Sequence, residues 1–232
     1  MTSSQSSMQP SLAEPSPSPV FRTGPVPRAT SPQSPNGLTA RGLAWLLLIG
    51  GLIGLTASFV LAVEKYALLA DPTYVPTCSL NPVLSCGSVM ASAQAEAFGF
   101  PNPLLGVAGF PVVAAVGAAL LAGARTAPWF WGGLQVGVTG GVLFVHWLIF
   151  NSLYRIGALC PYCMVVWAVT VPLFWYVTLH NLQAARLRLP RWLANPVGTA
   201  RRFHGVVLTL WFLLIAIAVL EEFWLYWSTL LA

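Results

Sequence analysis

The reactive groups in this sequence are its 4 cysteines. Cys160-Pro161-Tyr162-Cys163 is a C-x-x-C pair that runs straight into an apolar stretch, and Cys78 and Cys86 make a second, wider pair. Residues i and i+3 share a helix face, so C-x-x-C at a helix start lets two sulfurs meet with modest adjustment. The positive end of the helix dipole stabilises a thiolate there. Pro161 has no amide proton and is tolerated in a first turn. Two dithiols on one face can pass electrons by thiol–disulfide exchange, with mixed disulfides as intermediates. Two rival readings are static structural bridges and a metal site. Four thiolates can bind zinc, but the usual C-x2-C spacing occurs once here and the other spacing is long, so no metal is assigned.

Composition says where this chemistry happens. The chain of 232 residues is 56% hydrophobic and 7% charged, whereas a soluble domain carries about a quarter charged residues. An all-α integral membrane protein is the expectation. Five apolar runs approach the ~20 residues a bilayer core demands, over residues 42–63, 103–124, 129–154, 156–179 and 205–220. Lipid offers the backbone no hydrogen-bond partners, so each run should be helical. Residues 1–40 are rich in Ser and Pro and read as a disordered tail, with no apolar core that would make a signal peptide. The net charge of +5 sits in short patches beside the apolar runs, which argues for membrane orientation and against nucleic acid.

Arginine placement supplies that orientation. With a cytoplasmic N-terminus, Arg22, Arg28, Arg41, Arg125, Arg186, Arg188, Arg191, Arg201 and Arg202 all fall on the cytoplasmic side, and only Lys65 and Arg155 fall opposite. The chain then divides into the cytoplasmic tail 1–40, a four-helix bundle 41–180 with an extracytoplasmic loop 64–102, a basic cytoplasmic loop 181–204, and a fifth membrane helix within 205–232. Glu221 and Glu222 lie near its outer end. Two spans separate the cysteine pairs, so both pairs reach the outer face, where disulfides persist. Small residues at i, i+4 spacing (Gly50 and Gly54; Ala114, Ala118 and Ala122; Gly133, Gly137 and Gly141) are expected to let helix backbones approach closely. The fifth span has no such stripe after Gly205 and is expected to be peripheral to a four-helix core.

A dithiol at the lipid edge suits an oxidant that lives in the bilayer, and a quinone takes the two electrons that one dithiol supplies. The ordered set Cys78, Ser85-Cys86-Gly87-Ser88-Val89, Phe98-Gly99, Asn102 and Cys160-Pro161-Tyr162-Cys163 resembles the vitamin K epoxide reductase family in its bacterial form. The likeness spans roughly residues 42–179. It implies a membrane quinone reductase that makes disulfides in exported proteins, at the inner membrane, with menaquinone or ubiquinone as the electron-accepting substrate. Cys163 would face the quinone, Cys160 would take electrons from Cys86, and Cys78 would exchange with a thioredoxin-like (DsbA-like) partner supplied in trans. Ser92, Val89 and Met90 fall near the quinone by the same likeness, and Asn102 matches an amide that holds a quinone oxygen. Asn102 reads equally as a cap on the second span. Where animal members carry Tyr, this chain has Trp167, an indole donor of different reach.

The other polar residues are weaker candidates. His146, inside the third span, reads as a proton relay or as a histidine bonded within the bundle, the second being preferred. Trp129, Trp131, Trp192 and Trp224 suit an interfacial aromatic belt. Glu64 and Lys65 read as surface residues at the outer end of the first span.

Overall fold

Helix α1, Gly37–Ala70, has 34 residues, and at ~1.5 Å per residue it outruns a ~30 Å hydrocarbon core. A computed structural model describes residues 37–186 and 202–231. The expected tail up to residue 36, together with Arg188, Arg191, Trp192 and Arg201, lies outside the described residues. Gly37–Ala40, read as tail, already belong to α1. At its other end α1 continues past residue 63 to Ala70, so the outer loop begins at Asp71 instead of Glu64.

That loop carries the short helix α2, Cys86–Ala91, and a 3-10 turn, Ala93–Glu96. Then come α3, Pro103–Leu121, α4, Pro128–Asn151, and α5, Pro161–Arg186. Each of these three starts on a proline, whose fixed φ suits a first turn and whose missing N–H leaves no unmet donor. Next follow α6, His204–Glu222, and the short α7, Trp224–Leu231. Among the described residues, five helices are long and apolar enough to cross a membrane.

The fourth span differs from its expected form. Residue 156 was to open it, but α4 instead ends in a π-helical turn, Ser152–Ile156, closed by Gly157 at φ +67°, and α5 starts at Pro161. Between them Leu159 is extended and forms a parallel bridge with Leu84. The left-handed Gly157 stops the helix, and Pro161 pushes the residue before it towards extended backbone. An apolar run alone does not distinguish such a buried extended segment from helix.

Helix α1 packs on α3 and α5, and α4 packs on α5. Leu43, Leu47, Phe110, Val113, Leu173 and Val177 make the core between them. The α1–α3 seam is tight at glycine. A Cβ on Gly51 would meet Ala114 N at 2.7 Å, one on Gly117 would strike the backbone of Leu48, and one on Gly54 would strike the Phe110 ring. The stripe on α4 is a different matter. Nothing lies within 4 Å of where a Cβ of Gly133 or Gly137 would go, and Gly141 meets only a Thr170 methyl at 3.6 Å. Those glycines do not form the packing seam that their spacing led one to expect; they line a cavity. Ala118 and Ala122 are likewise exposed.

The fifth membrane helix is peripheral, with none of its span buried. Among the contacts that tie this end of the chain to the bundle, two bear on the core and the third span. Trp211 Nε1 donates to His146 Nε2 at 2.9 Å, and Phe223 is buried among Val145, Leu159 and Trp167. His146 Nδ1 donates in turn to Val142 O at 2.7 Å, so the histidine is bonded within the bundle at both nitrogens.

The two kinds of glycine should separate in stability measurements. Gly117→Ala forces α1 and α3 apart and should cost about 1–3 kcal/mol, the usual penalty of overpacking. Gly137→Ala places its methyl in open space and should leave the melting temperature in detergent unchanged or slightly raised.

Candidate active site

The Leu84–Leu159 bridge decides where the sulfurs meet. Leu159 N donates to Val83 O at 2.7 Å and Ser85 N donates to Leu159 O at 2.9 Å. Ser85 then caps α2, its hydroxyl accepting from Ser88 N, so Cys86 becomes the first residue of that helix. Cys160 directly follows the bridge and precedes Pro161. The result is a Cys86 Sγ to Cys160 Sγ separation of 3.1 Å, with both residues fully buried.

Cys78 and Cys86 are joined in a disulfide, while Cys160 and Cys163 are free. A hydrogen bond from the Cys163 thiol pulls the Cys160 thiol below its ordinary value. Burial opposes this, and the amide N–H groups of Cys163 and Tyr162 at the start of α5 add to it. The helix-start logic of the C-x-x-C therefore acts on Cys160, and the thiolate it favours sits against Cys86. The sulfurs of Cys78, Cys86 and Cys160 lie within 4.8 Å of one another. Two of them share a bond here, so the trio does not offer three thiolates to a metal in this state.

Glu64 and Lys65 are buried, contrary to their reading as surface residues. Because α1 runs on beyond the membrane edge, the cysteine loop folds back over them. The Glu64 carboxylate accepts from Tyr74 Oη at 2.9 Å and from the Thr77 amide and hydroxyl, which fixes the residue before Cys78. Lys65 Nζ donates to Met90 O at 2.7 Å, at the far end of α2, and pairs with Glu96 at 2.9 Å. One polar pair thus holds both sides of the loop disulfide. A charged pair continuing the helical run of α1 was the signal for it in the sequence.

Beside the sulfurs lies a cavity of about 680 Å³. Cys163, Trp167, Val89, Met90, Ser92 and Asn102 all line it, so the residues named from the sequence do share one wall system. It extends down the bundle between α3 and α4, which barely touch each other. The Asn102 side chain does not cap α3, as one reading held. Its Nδ2 donates to Gln94 O at 2.7 Å and its Oδ1 accepts from Ala97 N at 3.1 Å, pinning the loop over the cavity. Ser92 Oγ donates to Val89 O at 2.7 Å. Trp167 is buried, and its Nε1 has no hydrogen-bond partner. Asn151 and Ser152, which the sequence reading passed over, are buried on the same cavity. Their signal was a polar pair interrupting the apolar run of α4.

Two cysteine pairs in sulfur contact at one end of a helical membrane bundle, against an apolar chamber, are the equipment of a membrane thiol–disulfide oxidoreductase. Comparison with family profiles narrows that class. The profile of the vitamin K epoxide reductase family matches residues 45–178, more than half of the chain, and the chain belongs to this family. A comparison with curated proteins finds no match.

Two tests address the loop and the thiolate. Glu64→Ala strands Tyr74 and Thr77 and removes hydrogen bonds to a charged group worth about 1.5–3 kcal/mol each. Dithiothreitol should then reduce the Cys78–Cys86 disulfide roughly tenfold faster or more, since Cys78 is otherwise buried. For the thiolate, ultraviolet absorption followed against pH should show wild-type Cys160 ionising below the ordinary value of a free thiol. Cys163→Ala takes away the largest lowering influence while burial persists, so the midpoint should move up; an unmoved midpoint would assign the lowering elsewhere.

Proposed function

We propose that the protein is a membrane quinone reductase that generates disulfides in exported proteins. A reduced thioredoxin-like partner outside the cytoplasm attacks Cys78, Cys86 leaves as a thiolate, and the partner's second cysteine resolves the mixed disulfide. The partner is then oxidised and the loop pair reduced. Cys86 next attacks Cys160 of an oxidised Cys160–Cys163 pair, Cys163 leaves, and Cys78 resolves the Cys86–Cys160 bond. The loop disulfide is restored and the inner pair holds two thiols. Those thiols pass two electrons and two protons to a quinone, giving quinol and the Cys160–Cys163 disulfide.

The observation that carries this reading is the 3.1 Å contact between Cys86 and Cys160 sulfurs, with Cys163 on the cavity wall behind them. An outer disulfide above an inner dithiol is also the redox state that follows the exchange. The apolar chamber suits a quinone ring, menaquinone or ubiquinone, with the isoprenoid tail leaving through the cleft between α3 and α4. Val89, Met90 and Trp167 would flank the ring. Asn102 has one N–H left over from pinning its loop, and Ser92 keeps an acceptor lone pair. The arginine distribution puts the N-terminus in the cytoplasm and the cysteines outside.

The relay predicts two distinct failures. A small dithiol can reach the inner pair through the cavity, whereas a folded protein cannot. With Cys78 and Cys86 both changed to Ala, oxidation of a thioredoxin-like protein should stop, while dithiothreitol still drives measurable quinol formation. With Cys160 and Cys163 changed to Ala, both reactions should stop. Full-rate oxidation of the protein partner by the loop variant would reduce the loop pair to a structural bridge.

A further inference from the structure

The π-helical turn at the end of α4 leaves one hydroxyl unaccounted for. Asn151 and Ser152 sit where the helix widens, and the Ser152 carbonyl accepts from both Gly157 N at 3.0 Å and Ala158 N at 3.3 Å. Widened turns of this kind recur at functional sites because they turn side chains out of the regular register. Both residues face the cavity, at 7% and 4% exposure.

The hydroxyls of three threonines on α4 and α5 satisfy themselves locally. Thr139, Thr170 and Thr178 each donate to the carbonyl four residues back, at 2.6, 2.7 and 2.7 Å, and Asn151 Nδ2 does the same to Trp147 O at 2.7 Å. Ser152 Oγ has no hydrogen bond among the described residues, although the residue is almost fully buried. On the wall of a largely apolar chamber, such a hydroxyl is free to bond a ligand that brings the partner. Trp167, one helical turn beyond Cys163 on α5, also lines this cavity, and its buried Nε1 has no hydrogen-bond partner. Ser92 and Asn102, by contrast, already spend donors on the loop backbone.

We propose that Ser152 is a substrate contact whose hydroxyl, together with the Trp167 indole, donates to one ring oxygen of the quinone and holds the ring at the wall that carries Cys163. The inference rests on the quinone reading above and adds to it the residue that fixes the ring. A flat apolar body bearing a carbonyl oxygen is what a few donors in a largely apolar chamber select. As the two thiols become a disulfide, their electrons raise the negative charge on the ring oxygens, and both donor bonds strengthen as that charge develops. The two protons of the quinol come from Cys160 and Cys163. Ser152 keeps its own proton.

The test uses the full chain in detergent with dithiothreitol as reductant and a short-tailed ubiquinone as acceptor. Ser152→Ala should lower kcat/KM for the quinone about three- to tenfold, the range expected for one neutral hydrogen bond. It should also shrink the thermal stabilisation given by the same quinone, while Cys163 reacts with N-ethylmaleimide at the wild-type rate. Ser152→Thr, which keeps the hydroxyl, should restore most of the loss. Ser152→Gly serves if the Ala variant does not fold. Unchanged kcat/KM in Ser152→Ala overturns the proposal while leaving the quinone reading intact. A loss matched by an equal change in Cys163 alkylation also overturns it, because the serine would then act on the thiol. If the wild-type protein forms no quinol with any quinone, both readings fall together.

Discussion

Disulfide exchange needs sulfur to approach sulfur, and here one pair of backbone hydrogen bonds makes that approach. The parallel bridge between Leu84 and Leu159 lays the cysteine loop against the segment entering α5, and Cys86 and Cys160 fall next to each other as a consequence. Every neighbouring feature keeps that bridge in place. Gly157 in its left-handed conformation ends α4 early enough to free Leu159, and Pro161 restarts the helix just after Cys160. Ser85 begins α2 at Cys86. A slip of one residue on either side of the bridge would turn the sulfurs away from each other.

Electrostatics supports the same contact. Glu64 and Lys65 are costly to bury, yet each meets several partners, and those partners lie on opposite sides of the loop disulfide. Burying a charge is tolerable when it is paired and hydrogen-bonded, and such a network fixes one arrangement of the backbone around it. The loop is therefore anchored to α1, the most deeply packed helix, rather than resting loosely above the bundle. The lowered Cys160 thiol belongs to the same economy of position, since Cys163 and the first amides of α5 can reach its sulfur only with Cys160 at the mouth of that helix.

The bundle is closed on one side and open on the other. Gly51 and Gly117 bring α1 and α3 into backbone contact and Gly54 admits the Phe110 ring, whereas Gly133 and Gly137 of α4 face empty volume. The same residue type serves opposite ends. Absence of a side chain lets a neighbour in where a neighbour exists and leaves space where none does. The cavity, its cleft and its polar edge at Asn151, Ser152 and Trp167 all lie on the open side.

The sequence by itself determined the five membrane helices, the two cysteine pairs, their placement at one end of the bundle, and the family. The first three follow from local quantities (run length, residue type and parity of crossings), and the family follows from the resemblance of the motifs. Through motif likeness it also named Val89, Met90, Ser92, Asn102, Cys163 and Trp167, which line the cavity. Only the tertiary structure decided which glycines pack and which stand open, because spacing on one helix says nothing about whether another helix is present. Burial of Glu64 and Lys65 was equally hidden, since it depends on a loop folding back from residues 74–96. Local pattern could not reveal the extended Leu159 within an apolar run, because its hydrogen bonds go to Val83 and Ser85, some 75 residues earlier in the chain. Sequence records what a residue can do; which partner it meets is settled by chain segments far from it, and the contact between Cys86 and Cys160 is of that second kind.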